Sequence, residues 1–359
     1  MEEQRILAIN PGSTSTKIAV FKNEEALFVK NIKHANEDLV GFKAIAEQFS
    51  FRKDIILKEL KDADIEINTI TAVVGRGGLV KPIESGVYEV NEALKADLKK
   101  GILGEHASNL GGLIAADIAN ELNNGARAFI ADPVVVDELQ DVARVSGHPN
   151  FQRLSIFHAL NQKAIARTYA KSIDKKYEEL NLIVAHLGGG ISVGAHSNGR
   201  VIDVNNALDG EGPLSPERSG YLPNGQLVKM CFSGEYTLEQ IKLMIKGDGG
   251  LVAHLGTNDA YEVECRAKDG DAKAALIQDA MAYQVGKEIG AAAAVLKGKV
   301  DGILITGGIA HSKVVCNYIK DMVSFIGNVH IYPGEDEMSA LAMNGLMVLR
   351  NEVATKEYK

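Results

Sequence analysis

Residues 182–199 read LIVAHLGGGISVGAHSNG, an apolar run broken by His186 and three successive glycines. Two short apolar segments on either side of a glycine turn predict two β-strands joined by a tight hairpin. Residues 6–24, ILAINPGSTSTKIAVFKNE, have the same layout, with Asn10 at the tip of the first strand and a turn of glycine and hydroxyl residues. The two stretches open the two halves of the chain, and this repetition predicts a duplicated α/β domain.

The chain is long enough to bury two hydrophobic cores. It has 359 residues with 46% hydrophobic content, and single cores stop growing near ~250–300 residues. We expect one domain over residues 1–150, with a C-terminal helix at 340–359 packed on it, and a second domain over 151–339. The net charge of −8 gives no general attraction to nucleic acid or to an anionic membrane. The sequence contains neither a secretion signal nor an apolar run of ~18 residues, so we expect a cytoplasmic protein.

The remaining segments predict further strands and helices. Residues 106–125 carry apolar residues at helical spacing, with Gly125 as the expected stop. The stretch at 206–225 is rich in glycine, proline and charge, and it predicts a functional loop. The other expected elements are a strand running into glycines at 71–80, a strand at 126–136, an Ala-rich helix at 272–297, a buried strand at 300–308 and a last amphipathic helix at 338–350.

Three glycine turns are candidates for phosphate binding. Successive backbone N–H groups in a turn without β-carbons form a concave anion site. Each turn alone is compatible with an ordinary hairpin, but two turns at equivalent places favour a ligand. The sequence has neither a P-loop nor a GxGxxG fingerprint, which leaves a cleft between two related domains. The predicted nucleotide-binding residues are Asn10, Gly12, Ser13, Thr14, Ser15, Lys17, His186, Gly188, Gly189, Gly190, Gly307, Gly308, Ile309 and Ser312.

Eight motifs in a fixed order resemble those of the acetate and butyrate kinase family, which shares the fold of actin, hexokinase and Hsp70. They are LAINPGSTSTK, GRGGL, GEHASN, FIADPVV, AHLGGGIS, PERSGYLP, ITGGIAHS and PGEDEMSAL. The resemblance implies two actin-like, ribonuclease H-like domains around a nucleotide cleft, the use of ATP/ADP and Mg²⁺, and a homodimer or higher homo-oligomer. It also implies reversible phosphoryl transfer from ATP to a short-chain carboxylate. The forms NPGSTST, HLGGGIS and TGGIAHS resemble the butyrate branch of the family.

The expected chemistry needs positive charge more than a base. The acceptor carboxylate is already ionised, so catalysis depends on in-line alignment and on cations around the transferring phosphoryl group. Arg76 and Arg218 stand at glycine-flanked turns, and guanidinium groups suit phosphate and carboxylate geometry. His186 is expected to donate to a phosphoryl oxygen. By resemblance, His106, which we expect to start a helix, supports the site, and Asp132 orients an arginine or a metal-bound water.

Metal and acyl specificity are assigned by resemblance. Glu337 matches the metal-associated glutamate of the family, with Asn10 as a second candidate ligand and with Glu335 and Asp336 as alternative registers. The acyl pocket of the family includes the position of Ala185 and the arginine strand. Small residues at Ala185, Gly77 and Gly78 predict room for a four-carbon or branched tail beside Arg76, and hence a preference for butyrate or isobutyrate over acetate. One methylene contact is worth only about 1–3 kcal/mol, so overlap among short acids is expected.

Three alternatives remain open. The first is an acetate or propionate kinase of the same family. The second is another phosphotransferase or phosphatase of the same fold, such as a polyphosphate-cleaving enzyme; it requires a catalytic carboxylate to activate water, and Asn10, where relatives often have Asp, argues against it. The third is an actin-like protein that polymerises with nucleotide, against which the two arginines favour a kinase.

Overall fold

The computed structural model describes residues 3–359, which divide into two compact units. Unit 1 comprises the described residues up to Val136 together with Asp336–Lys359, and unit 2 comprises Asp137–Glu335. Among residues 3–359, none of the helices combines the length and the apolar character needed to cross a bilayer.

Unit 1 is built on a six-stranded sheet with the order β3-β2-β1-β4-β6-β5. Strands β1, β2 and β3 form an antiparallel meander, while β4 and β6 continue the sheet parallel to β1, and β5 pairs antiparallel to β6. The strands are β1 (Arg5–Pro11), β2 (Ser15–Lys22), β3 (Glu25–Lys33), β4 (Ala72–Arg76), β5 (Val87–Glu89) and β6 (Arg127–Ala131). The helices in this part of the chain are α1 (Asn36–Leu39), α2 (Phe49–Asp62), α3 (Glu92–Lys100) and α4 (Asn109–Leu122).

Helix α4 lies unusually close to strand β4. A β-carbon at Gly75 would lie 2.1 Å from the carbonyl oxygen of Gly111, and one at Gly111 would lie 2.4 Å from that of Arg76. The two glycines therefore let the helix backbone rest on the end of the strand and fix the position from which Arg76 extends. The helix ends at Leu122 with Asn123 in the left-handed conformation, φ 50°. The predicted stop at Gly125 was wrong, because asparagine also adopts this conformation.

Unit 2 repeats the same topology with five strands in the order β11-β10-β7-β8-β9. Strands β7, β8 and β9 form an antiparallel meander, and β10 and β11 add to it in parallel. The strands are β7 (Asn181–Leu187), β8 (Ile191–Ser197), β9 (Arg200–Val204), β10 (Gly302–Gly307) and β11 (Val329–Pro333). The helices are α5 (Asp141–Arg144), α6 (Ala159–Ser172), α7 (Asn224–Cys231), α8 (Leu238–Ile245), α9 (Gly250–Leu255), α10 (Ala260–Lys268), α11 (Ala272–Val295) and α12 (Lys313–Val323).

The shared strand order confirms the prediction of a duplicated α/β domain. In each unit the first hairpin, β1–β2 or β7–β8, carries the glycine turn, and the next parallel strand follows a crossover through helices. The Ala-rich helix predicted at 272–297 is α11, which covers the sheet of unit 2 and contributes Met281, Val285 and Ile289 to its core.

The last helix, α13 (Glu337–Leu349), returns to unit 1 and packs against β1 and β4. A β-carbon at Gly345 would lie 2.6 Å from Cγ2 of Val74, so glycine permits close packing on the sheet. The helix was predicted to be amphipathic, but its buried residues surround most of its circumference. The buried members are Met338, Ala340, Leu341, Ala342, Asn344, Gly345, Leu346 and Val348. Its apolar surface therefore belongs to the core of unit 1.

Candidate active site

In unit 1, three predicted residues from distant parts of the chain meet. Asn10 is the last residue but one of β1, Arg76 is the last residue of β4 and Glu337 is the first residue of α13. Nη1 of Arg76 donates to Oε2 of Glu337 at 3.0 Å and to Oδ1 of Asn10 at 3.3 Å, while Nδ2 of Asn10 donates to the same Glu337 oxygen at 2.5 Å. The side chain of Arg76 remains partly accessible, so its other donor groups are placed to meet an anion.

The three acidic residues considered as metal ligands, Glu335, Asp336 and Glu337, have different neighbours in the structure. Oδ1 of Asp336 caps α13 by accepting from the N–H of Ser339 at 3.0 Å, and Glu335 lies beside His186 in unit 2. Only Glu337 adjoins Asn10. Residues 3–359 contain no group of three or more His, Cys, Asp or Glu side chains arranged to hold a metal ion. One carboxylate and one amide oxygen fit Mg²⁺ only when water and phosphate oxygens supply the rest of its octahedron.

The turn between β1 and β2 is a tight hairpin. The N–H of Gly12 donates to the carbonyl oxygen of Ser15 at 2.8 Å, and Ser13 and Thr14 are exposed at the tip. Lys17 lies opposite Asn10 in the β1–β2 ladder. The tip of the hairpin is therefore accessible to solvent.

Asp132 and His106 hold loops of unit 1. Asp132 is buried at the end of β6, where its Oδ1 accepts from Oγ of Ser85 at 2.6 Å and from the N–H of Gly86 at 2.8 Å. His106 does not start the helix as predicted, because α4 begins only at Asn109 with Ser108 as its N-cap. Nδ1 of His106 accepts from the N–H of Ser108 at 3.2 Å.

The small residues assigned to an acyl pocket are enclosed by the chain itself. A β-carbon at Gly77 would lie 2.6 Å from Cβ of Pro133, and one at Gly78 would lie 2.3 Å from Oδ1 of Asn109. Ala185 is fully buried in the core cluster of unit 2. It points to the opposite face of β7 from His186, because successive side chains of a strand alternate. Ala185 therefore lies on the core side of β7, away from His186. The absence of side chains at Gly77 and Gly78 allows the chain to pack closely there.

In unit 2, His186 occupies the end of β7 directly before the glycine turn. Its Nδ1 lies 2.8 Å from Oδ1 of Asn161, and its Nε2 lies 3.1 Å from Oε1 of Glu335. A β-carbon at Gly188 would lie 2.8 Å from Nε2 of His186 and 2.9 Å from Oε1 of Glu335. Glycine is therefore required at position 188 for the imidazole and the carboxylate to approach each other.

Arg218 lies directly on the same glycine turn. A β-carbon at Gly190 would lie 1.6 Å from Nη1 of Arg218, so the guanidinium occupies the space that any other side chain would take. Nη1 also donates to the carbonyl oxygen of Ala207 at 2.5 Å. Burial lowers the pKa of Arg218 from its ordinary value, but a guanidinium remains charged at neutral pH. The loop predicted from the sequence thus brings a cation against the turn.

Sequence reasoning missed His158. Its ring stacks on that of His186 with centroids 3.8 Å apart and an interplanar angle of 13°. The available signal was its position: His158 follows the apolar pair Ile156–Phe157 and is the N-cap of α6. Two stacked imidazoles therefore adjoin the glycine turn.

A buried chain of hydrogen bonds orients His158. Burial keeps the pKa of His196 well below its usual range, so its ring is neutral. The hydroxyl of Tyr177 pairs with Nδ1 of His196 at 2.7 Å, and Nε2 of His196 pairs with Oε1 of Gln162 at 2.9 Å. Nε2 of Gln162 donates to Oγ of Ser192 at 2.8 Å, which pairs with Nδ1 of His158 at 2.9 Å. Ser192 accepts from Gln162 and can donate its own hydroxyl proton to Nδ1 of His158. This arrangement selects the tautomer of His158 that carries its hydrogen on Nε2.

A cavity of about 450 Å³ opens beside the glycine turn within unit 2. This volume lies in the range of small-molecule and cofactor sites. Gly307 adopts φ 95°, and a β-carbon there would lie 2.3 Å from the carbonyl oxygen of Leu187, whereas Gly308 has open space above it. The predicted residues Gly188, Gly189, Gly308, Ile309 and Ser312 line the cavity. The sequence did not indicate its other walls, among them Leu251, Glu264, Gln278 and Met281.

The chain is similar in sequence to a known protein family and in structure to several solved proteins. The model of the Acetokinase family matches residues 152–340. Butyrate kinase 2 of Clostridium acetobutylicum is 58% identical over 355 residues, and Butyrate kinase 1 of the same organism is 57% identical, each alignment covering 99% of both chains. Among solved structures, acetate kinase of Porphyromonas gingivalis superimposes with a TM-score of 0.82 at 20% identity, covering 96% of this chain and 100% of that one.

A propionate kinase of Francisella tularensis also shares the fold. Its TM-score is 0.75 at 19% identity, and the superposition covers 95% of this chain and 98% of that one. At these identities the two solved structures establish the fold alone, which is the actin-like α/β fold that the motifs imply.

Proposed function

Because the chain belongs to the acetokinase family, we propose that it transfers the γ-phosphoryl group of ATP reversibly to butyrate or a related short or branched fatty acid. The products are the acyl phosphate and ADP. The acyl preference is supported by the two relatives at 58% and 57% identity, both of which are named butyrate kinases. The phosphoryl chemistry is supported by the guanidinium of Arg218, which lies on Gly190 beside the stacked histidines.

The nucleotide is assigned to the cavity of unit 2. Its apolar walls suit a base and ribose, and the backbone at Gly188, Gly189 and Gly308 suits phosphate oxygens. The tip of the hairpin at Ser13 and Thr14 in unit 1 is proposed to bind phosphate oxygens in the same reaction, with Lys17 adding positive charge.

The proposed mechanism is a direct in-line transfer. Arg76, Arg218 and His186 stabilise the charge that spreads over the phosphoryl oxygens, and a proton on Nε2 of His158 adds a further donor. The carboxylate of the fatty acid attacks without a general base because it is already ionised. Arg76 is also proposed to hold this carboxylate, and His106 and Asp132 support the site by fixing the loops around it.

Mg²⁺ is proposed as the metal, with Glu337 and Asn10 as the protein groups that hold it through water. When bound, the ion neutralises charge on the polyphosphate. Because Arg76 shares the oxygen of Glu337, a shell of water and phosphate oxygens between metal and protein suits this site better than direct carboxylate coordination.

A panel of straight and branched acids tests the proposal. Purified protein with ATP and Mg²⁺ should form acyl hydroxamate in the presence of hydroxylamine, with kcat/KM higher for butyrate or isobutyrate than for acetate. The expected differences are moderate, since one methylene is worth roughly 10–200-fold at most. A preference for acetate or propionate would assign the protein to the other branch of the family. ATP hydrolysis without acyl transfer would point to a phosphatase, and sedimentation with ATP to a filament.

Two further statements stay predictions. Homo-oligomerisation is expected from the family resemblance, and a cytoplasmic location is expected from the composition of the sequence.

A further inference from the structure

The back of the hairpin turn in unit 1 is held by one arginine. Nη2 of Arg52 donates to the carbonyl oxygen of Ser13 at 3.1 Å, and Nη1 donates to that of Ser15 at 2.9 Å. Nη1 also donates to Oγ1 of Thr16 at 2.9 Å. A single guanidinium therefore fixes the orientation of two peptide groups in the turn that is proposed to bind phosphate.

Arg52 is a fully buried charge without a carboxylate partner. It lies in the first turn of α2 with no exposed surface, and its Nε and Nη2 donate to Oε1 of Gln48 at 3.0 and 2.8 Å. Nowhere in the described chain, residues 3–359, does a carboxylate come within ion-pairing distance of it. Burial lowers the pKa of Arg52 to about 10, so the group is still charged at neutral pH. Buried charges are costly unless they are compensated.

The neighbouring histidine does not supply the compensation. Nε2 of His34 lies 2.9 Å from Oγ1 of Thr16. Burial and the charge of Arg52 lower the pKa of His34, so it is neutral near pH 7. A neutral imidazole brings no negative charge to Arg52.

The direction of the carbonyl groups in the turn decides whether N–H groups or carbonyl oxygens face a ligand. In a planar trans peptide, the C=O of one residue and the N–H of the next point in opposite directions. With the Ser13 carbonyl aimed at Arg52, the N–H of Thr14 faces away from it, on the exposed side of the turn. Thr14 directs its own carbonyl to the N–H of His34 at 2.9 Å. Carbonyl oxygens, which would repel an anion, are thereby kept at the back.

We propose that Arg52 is a positioning residue for phosphate binding: it turns the carbonyl groups of the Gly12–Thr16 turn away from the nucleotide, and its unpaired charge makes the turn attract a phosphate anion. The proposal rests on the proposed role of this turn in nucleotide binding. The phosphate, on the far side of the turn, is the countercharge that the interior of unit 1 lacks.

Gln48→Glu is the decisive variant. It places a carboxylate where Oε1 of Gln48 now accepts from Arg52, so the charge is compensated while the guanidinium and its bonds to the turn remain. We expect the affinity for ATP to fall on the order of tenfold, the effect of one partly screened charge on a nearby anion, without a lower Tm. Affinity for adenosine, which has no phosphate, should not change. Gln4→Glu adds the same charge at the start of β1 and should leave both affinities unchanged.

A merely structural role for Arg52 predicts the same behaviour of Tm but a different result for ATP affinity, so ATP affinity is the deciding measurement. The new ion pair would then raise or preserve Tm and leave ATP binding at the wild-type level, and this result would overturn the proposal. If Gln48→Glu does not fold, Arg52→Lys is tested instead. Lysine keeps the positive charge but cannot bind the carbonyl oxygens of Ser13 and Ser15 with two separate nitrogens. We then expect a reduced affinity for ATP and an unchanged affinity for adenosine. Wild-type ATP affinity in folded Arg52→Lys would overturn the positioning role. These binding experiments contain no carboxylate substrate, so failure of the acyl assay alone would reject the proposed function and not this inference.

Discussion

The guanidinium of Arg218 has room for its position only because residue 190 is a glycine. Its Nη1 occupies the position of a β-carbon at Gly190 and is held by the carbonyl oxygen of Ala207. The sequence indicated the residue through its place at a glycine-flanked turn and through the family resemblance. It did not indicate the partner glycine, since the contact joins residues 28 positions apart in a loop without periodicity.

Replacing this arginine should abolish most of the catalysis. Arg218→Ala removes a cation from the transferring phosphoryl group, and we expect kcat to fall by roughly 10³–10⁵, the range for arginines that stabilise phosphoryl transfer. The circular dichroism spectrum should remain that of the wild type. Arg200→Ala, at the exposed start of β9, serves as the control and should retain full kcat. A loss of less than tenfold in folded Arg218→Ala would contradict the role.

Two elements, the hairpins β1–β2 and β7–β8, were predicted from the sequence because each has an uninterrupted apolar strand on either side of a glycine turn. Strand β3 was missed: eight of its nine residues are exposed or half-buried, so no alternation of apolar residues marks it. Its Lys and Glu side chains are typical of an edge strand that resists pairing with other chains. Ala185 was expected beside His186 because the two are adjacent in the sequence, but adjacent residues of a strand point to opposite faces of the sheet.

The glycine turn of unit 2 supplies a matched pair of variants. Gly190→Ala places a methyl group on the guanidinium of Arg218, whereas a β-carbon at Gly189 meets only Glu217, at 3.7 Å. We expect Gly190→Ala to lower kcat by at least about tenfold, approaching the effect of losing Arg218. Gly189→Ala leaves Arg218 in place, so at saturating ATP it should lower kcat much less and act mainly on the affinity for the nucleotide. The expected difference lies in steady-state kinetics with both proteins folded. Equal activities would show that the position of Arg218 on the turn is unimportant.

For the whole molecule, the fold was predictable and part of the site was not. The repeated hairpin and the order of eight motifs led to the actin-like fold and to the acetokinase family, and the family makes the protein a carboxylate kinase. Asn10, Arg76 and Glu337 were each candidates from the sequence, whereas the hydrogen bonds that join them come from the structure. His158, Gln278 and Arg52 were not found, because stacking, cavity walls and buried unpaired charge arise from tertiary packing and leave no local pattern.

The most direct test of the account is the stereochemistry at phosphorus. The protein is incubated with butyrate and with ATP made chiral at the γ-phosphorus by oxygen isotopes, and the configuration at phosphorus in the acyl phosphate that forms is determined. A single in-line transfer assisted by Arg76, Arg218 and His186 predicts inversion. Retention would show two successive transfers through a phosphorylated residue of the protein, and would contradict the direct mechanism proposed from this structure.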